Sequence, residues 1–116
     1  MEGNFFLKKK IKEKGFYINV KLNICTLKGE GVEIINPHFN KETDIVFFAI
    51  KYFLGIHKKF FFDKKVVVEI IDMRTMIVDT TPIIILYGIL KAMENATNLS
   101  INELKIDDEG NIIFPK

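Results

Sequence analysis

Histidine and cysteine, which carry much of catalytic and metal-binding chemistry, are few in this sequence, and their spacing does not match that of a metal site. His38 and His57 are not at the i, i+4 spacing that places two ligands on one helix face, and Cys25 is the single cysteine. Structural zinc sites use four such side chains and catalytic zinc sites use three. We therefore expect no metal site and no cofactor, and we expect both histidines to lie in loops or on the surface.

Carboxylates and glycines supply weaker candidates. Asp72 and Asp79 flank a predicted loop and could form an acid–base pair, and the Asp-Asp-Glu turn at residues 107–109 could attract a cation. A calcium loop spreads its oxygen ligands over about twelve residues, so capping and turn formation are the simpler interpretation of these carboxylates. The Gly-Glu-Gly run at residues 29–31 lacks the Gly-Lys-Ser/Thr ending of a phosphate-binding loop. The absence of a phosphate-binding loop argues against ATP hydrolysis.

Basic side chains are numerous but nearly all are lysines. The chain has 17 basic and 15 acidic residues, and Arg74 is the only arginine. Forked guanidinium groups read bases and clamp phosphates, so a dedicated nucleic-acid reader with one arginine would be unusual. A cluster near the N-terminus comprises Lys8, Lys9, Lys10, Lys12 and Lys14. It is either a solvated basic segment, such as a lysine-rich edge strand, or a patch for phosphates or an acidic partner.

Hydrophobic periodicity predicts the strands that would position these groups. Residues 16–24 alternate apolar and polar types, which is typical of a strand with one buried and one wet face. Residues 32–35, after a glycine-rich turn, predict a strand that returns on the first as a β-hairpin. Residues 66–71 are rich in β-branched types and predict a central strand buried on both faces. Residues 103–106 and 111–114 predict a short terminal hairpin.

Two helices complete the predicted fold. The first covers residues 42–54 with Asn40 as its cap, and the second covers residues 82–95 with Thr80 or Thr81 as its cap and Pro82 near its first position. The order of elements predicts an α+β fold in which two helices pack on one face of a two-layer mixed sheet. We expect a single domain over residues 1–116.

The sequence also bears on location. The lone Cys25 suits a reducing compartment, the N-terminus lacks the features of a signal peptide, and the apolar runs are far shorter than the roughly 18 residues that span a bilayer. We expect a cytoplasmic protein without membrane contact.

Several stretches of sequence carry a resemblance to a known family. They are the strand 16–24 with the following run 31–37, the helix through residues 49–54 with Gly55, the strand 66–71, the segment 81–90, and the hairpin 103–112. In order and spacing these stretches resemble the N-terminal domain of ComM-type magnesium-chelatase-like proteins, the Lon proteolytic domain and the C-terminal domain of RadA. All belong to the ribosomal protein S5 domain 2-like superfold. The resemblance runs approximately from residue 5 to residue 115.

The resemblance also bears on catalysis. Lon-type peptidases use a serine at the start of the second helix, which a lysine after the final hairpin activates. By the resemblance that serine corresponds to Thr80, with Thr81 beside it, and the lysine would lie beyond residue 116. A threonine hydroxyl without a positioned base is a poor nucleophile at neutral pH, so we expect both threonines to be helix caps and the chain to be no enzyme. A degenerate threonine-dependent hydrolase is the less favoured alternative.

The function that the resemblance implies is therefore binding. We expect a non-catalytic accessory domain that acts as a protein-interaction or assembly module, beside a separate ATPase or nucleoprotein. The alternative is nucleic-acid or ribosome binding through the lysine cluster, weak and non-specific.

Three consecutive aromatic residues, Phe60, Phe61 and Phe62, suggest self-association. Successive strand residues point to opposite faces, so three such rings cannot enter one core layer. Aromatic residues are enriched in interface cores, and a symmetric dimer is the commonest oligomer. We predict a homodimer with Phe61 at its contact; the alternative is that a loop or the N-terminal segment covers the extra ring.

Overall fold

The structure is a computed structural model that describes residues 1–36 and 43–114. In chain order the elements are β1 (Glu2–Ile11), β2 (Lys14–Lys28), β3 (Val32–Ile35), α1 (Thr43–Ile56), β4 (Lys64–Arg74), α2 (Pro82–Thr97), β5 (Lys105–Ile106) and β6 (Ile112–Ile113). This order confirms the predicted α+β class. Residues Asn40 and His38, for which a cap and a loop position were predicted, lie outside the described residues.

Strand pairing differs from the prediction at one point. The four-stranded sheet has the order β1-β2-β4-β3, and β5 pairs with β6 in a small separate sheet. The predicted hairpin between β2 and β3 is wrong, because β3 pairs in parallel with β4 while β2 pairs antiparallel with both β1 and β4. A parallel neighbour requires a crossover, and α1 lies in the segment that connects β3 to β4.

One face of this sheet is buried and the other is open. On β2 the side chains of Phe16, Ile18, Val20, Leu22 and Ile24 are buried, and the polar residues between them are partly exposed, as the alternation predicted. The prediction that β4 is buried on both faces is wrong. Its even-numbered residues 66, 68 and 70 enter the core, whereas Glu69 and Ile71 are exposed.

Both helices cover the same face of the sheet. Buried side chains of α1 and α2 join those of β2 and β4 in one core cluster. Two glycines permit a close approach at α2: a Cβ at Gly3 of β1 would lie 2.1 Å from the Ala92 carbonyl oxygen, and one at Gly88 would lie 2.9 Å from the Ile18 side chain. Among the described residues, neither helix is long and apolar enough to cross a membrane.

Candidate interaction surfaces

Thr80, which by the resemblance would take the position of the serine of Lon-type peptidases, has a structural role in the turn before α2. Its Oγ1 donates to the Tyr17 carbonyl oxygen at 2.6 Å and accepts from the Met76 N–H at 2.8 Å. Its own N–H donates to the Met76 carbonyl oxygen at 2.9 Å. Thr81 is the N-cap of α2, as predicted, and its side chain accepts from the Ile84 N–H at 3.4 Å. Thr80 therefore closes the turn and is not a helix cap, so the prediction that both threonines are caps holds only for Thr81.

The turn that Thr80 closes presents an apolar tip, residues 76–78, which we call the loop tip. Ile77 is fully exposed and Val78 is 85% exposed, while Met76 is about half exposed. The Tyr17 N–H donates to the Asp79 carbonyl oxygen at 3.0 Å, so the base of the loop continues the hydrogen bonding of the β2 edge. Sequence reasoning placed these residues in a loop and missed the surface, although Met-Ile-Val inside a predicted loop was the available signal.

The lysine cluster lies in an edge strand and in the turn that follows it. Lys8 and Lys10 pair with Tyr17 and Gly15 and point to the open face, while Lys9 points to the helix side. Lys12 is in the β1–β2 turn and forms an ion pair with Glu109. Lys14 begins β2. The structure therefore separates the five lysines by strand alternation and neutralises one of them.

The loop tip and part of the lysine cluster border the same depression. This shallow hollow, about 350 Å³ in volume, is lined by residues 8–10 of β1, by Tyr17 and its neighbours in β2, and by Met76 and Asp79. The Asp79 carboxylate occupies the space that a side chain at position 15 would fill. Met76 of the loop tip therefore lines the same hollow as Lys8, Lys9 and Lys10.

The open face of the sheet carries an aromatic pair. Phe6 is more than half exposed, and its ring meets Tyr17 edge to face with 5.8 Å between the ring centroids. Asn19 lies opposite both Phe6 on β1 and Arg74 on β4. The Arg74 guanidinium donates to Asp72 at 3.1 Å.

Charges on the open face are segregated. The half nearer the β1–β2 turn, which we call the basic half, carries Lys8, Lys10, Lys21 and Arg74 with Asp72, and Asp79 lies at its rim beside Gly15. The opposite half carries the carboxylates Glu2, Glu33 and Glu69 with Lys65. The aromatic pair lies in the basic half.

The aromatic run lies in the turn between α1 and β4, not in a strand. Phe61, the predicted contact residue, is 7% exposed and belongs to the core. Phe62 is 79% exposed, and Phe60 is partly exposed with the Lys64 ammonium 5.0 Å from its ring centroid. The ring accessible to a neighbour is therefore Phe62 rather than Phe61.

The remaining candidates have local roles. Asp72 accepts from Arg74, and the His57 ring packs on Phe53 with 4.8 Å between centroids. Asp107 Oδ1 accepts from the N–H groups of Asn111 at 2.8 Å and Glu109 at 2.9 Å, and these bonds hold the pKa of its carboxyl below the ordinary value.

Within residues 1–36 and 43–114, no group of three or more His, Cys, Asp or Glu side chains is placed to hold a metal ion. Comparison of the sequence with protein-family models and with curated proteins found no match to either.

Proposed function

We propose that this chain is a non-catalytic, Lon-like and magnesium-chelatase-like accessory domain that acts in the cytoplasm as a protein-interaction or assembly module. The loop tip is its contact with the partner. The observation that carries the proposal is the exposure of Ile77 and Val78 on a turn that hydrogen bonds hold to β2. The resemblance of the chain to domains that work beside ATPase rings supports an ATPase or a nucleoprotein as the partner.

The energetics of such a contact favour binding. Burial of an aliphatic side chain of this size stabilises a complex by about 1.5–3 kcal/mol. Thr80 and Asp79 already hold the turn to Tyr17 by hydrogen bonds. The backbone of the turn therefore loses little conformational entropy when a partner binds the loop tip. The lysines at residues 8–10 border the same depression, so the complementary partner surface is an apolar pocket with carboxylates on that side.

The hydrogen bonding of Thr80 argues against a role for it as a nucleophile. A hydroxyl that donates to the Tyr17 carbonyl has its proton engaged with an acceptor that cannot act as a general base. The degenerate hydrolase remains the less favoured alternative, and peptidase activity that disappears in Thr80→Val but persists in Thr81→Val would support it.

A double variant at the loop tip tests the proposal. The partner is captured with the wild-type chain, identified, purified and titrated calorimetrically with the wild type and with Ile77→Asp/Val78→Asp. We expect the double variant to bind about a hundredfold more weakly, with an unchanged melting temperature because both side chains are exposed. Ile56→Asp, at an exposed isoleucine of α1, is the matched control. Equal affinity of the tip variant and the wild type would refute the contact.

A second candidate function is weak, non-specific nucleic-acid binding through the lysine cluster. The observation that favours it is that Lys8 and Lys10 lie on the open face together with Lys21 and Arg74. Phosphate contacts of this kind weaken steeply as salt rises. Titration of the chain with a nucleic acid at several salt concentrations tests this candidate, and binding that does not depend on salt would contradict it.

A further inference from the structure

We propose that the basic half of the open face is a binding site for single-stranded nucleic acid, in which a base stacks on Phe6 and lysines contact the phosphates. This inference rests on the second candidate function and assigns it a site. It does not depend on the protein contact at the loop tip.

The aromatic pair supplies the stacking surface. Phe6 is 57% exposed although it lies within a strand, and the perpendicular Tyr17 ring contacts it at 5.8 Å between centroids. This neighbour limits how the Phe6 ring can turn and leaves it accessible from the open face. Every base has a π-face, so an exposed aromatic ring accepts any of them.

The cations flank this ring pair. Strand register places Lys8 opposite Tyr17, Lys21 opposite both Asn4 and Asp72, and Arg74 opposite Asn19. Residues two apart along one strand are about 7 Å apart, so Lys8 and Lys10 present two ammonium groups in a row beside the rings. A flexible polyanion that lies across Phe6 can meet cations on either side of it.

Carboxylates restrict the ligand to this half. In the basic half, Asp72 is engaged by Arg74, and Asp79 lies at the rim beside Gly15. The other half carries Glu2 and Glu69, together with Glu33, which pairs with Lys65 at 3.7 Å. The net negative charge of this half repels phosphates. The change in the sign of the charge along the face therefore confines a bound nucleic-acid strand to the basic half.

The shape of the face selects a single strand. A duplex presents its base edges in grooves that admit a helix or a narrow β-ribbon, whereas a ring on the broad face of a four-stranded sheet can stack only on a base that has left its own stack. Stacking and lysine contacts require no forked guanidinium group, so one arginine in the chain is compatible with this mode. Sequence specificity is not expected.

Fluorescence anisotropy with a labelled oligothymidylate tests the site at low and moderate salt. We expect Phe6→Ala to raise the Kd about tenfold, and Phe62→Ala, an exposed ring off this face, to leave it unchanged. We expect Lys8→Gln/Lys10→Gln to weaken binding and to lower the slope of log K against log salt by about 0.7 for each phosphate that is no longer neutralised. Lys58→Gln/Lys59→Gln, which removes two exposed lysines of the α1–β4 turn, is the matched control.

Three outcomes would overturn the inference. They are no binding at low salt, equal weakening in the Lys8/Lys10 and Lys58/Lys59 variants, and equal affinity for a duplex of the same length. If Phe6→Ala binds normally while Lys12→Gln/Lys14→Gln binds poorly, the nucleic acid binds elsewhere on the lysine cluster. That result would refute the stacking site and leave the second candidate function standing. Normal binding by Ile77→Ser/Val78→Ser, which removes the apolar tip without adding charge beside the lysines, is expected in every case, and this separates the test from that of the protein contact.

Discussion

At the scale of single residues, hydrogen bonding decides what the candidate side chains do. Thr80 resembles a nucleophile by position, yet its Oγ1 bridges the Tyr17 carbonyl and the Met76 N–H. Asp107 resembles a cation ligand by composition, yet its carboxylate accepts from the backbone of its own turn. In both cases the polar atom satisfies a backbone group, which is the usual role of Ser, Thr, Asn and Asp in turns.

Thr80→Val tests the structural role of the hydroxyl. The change removes one donor and one acceptor and leaves the Tyr17 carbonyl and the Met76 N–H without this partner. We expect a decrease of about 1–3 kcal/mol in unfolding free energy, measured by urea denaturation. Thr80→Ser, which retains the hydroxyl, should keep most of the wild-type stability. Equal destabilisation by Val and Ser would contradict the role.

Asp107→Asn tests the acidic turn through its pH dependence. Because the folded-state pKa of Asp107 is lowered, the ionised carboxylate stabilises the fold fully above the unfolded-state value of about 3.9. That contribution disappears as the pH falls through the folded-state pKa. Thermal denaturation should therefore show Asp107→Asn melting below the wild type at neutral pH, with the difference vanishing in strong acid. If the difference in melting temperature persists in acid, the loss of stability comes from the introduced amide group and not from the lost charge.

At the scale of elements, α2 approaches β1 closely at the edge of the sheet. Gly3 lies under the helix, and the Ala92 carbonyl is 2.1 Å from the position of an added Cβ. A backbone atom cannot be displaced as the end of a flexible side chain can, so the helix itself would have to move.

Gly3→Ala and Gly55→Ala form a matched pair for this contact. We expect Gly3→Ala to cost about 1–3 kcal/mol or more in unfolding free energy, as overpacking does. An added Cβ at Gly55, in the last turn of α1, meets nothing within 4 Å, so Gly55→Ala should stabilise by up to about 1 kcal/mol through helix propensity. Guanidinium denaturation measures both. A neutral Gly3→Ala would mean that α2 does not sit this close to β1.

Local pattern predicted the elements but not their partners. Alternation located the buried face of β2 because each residue of a strand reverses the side-chain direction. The turn at residues 28–31 suggested a local hairpin, but β3 lies on the far side of β4, and no local signal encodes that long-range choice. β-branched residues suggested a doubly buried β4, although Ile71 lies partly exposed.

The candidate surfaces were only partly foreseeable. The start of α2 at Thr81 and Pro82 followed from capping rules. The sides on which Lys8 and Lys9 point follow from alternation once the segment is known to be a strand. The loop tip was not predicted, since loops have no periodicity and exposure depends on what packs nearby. The burial of Phe61 could not be read from a three-residue aromatic run, because the run lies in a turn.

At the scale of the whole molecule, self-association remains a prediction, with Phe62 as the accessible ring. Light scattering should show a wild-type dimer that Phe62→Ser converts into a folded monomer, because the exposed ring would be removed without damage to the core. Phe61→Ser should instead lower the unfolding free energy by about 3–5 kcal/mol, as truncation of a buried Phe does. A wild-type chain that stays monomeric at high micromolar concentration would rule out the dimer.

Photo-crosslinking inside cells tests whether this molecule acts by contact through the loop tip. A benzophenone amino acid is placed at position 77, or at the exposed position 51 of α1 as the control, and the chain is irradiated inside cells that express it. We expect one discrete crosslinked species from position 77 and none from position 51. No crosslink from position 77, or equal yields from the two positions, would contradict it.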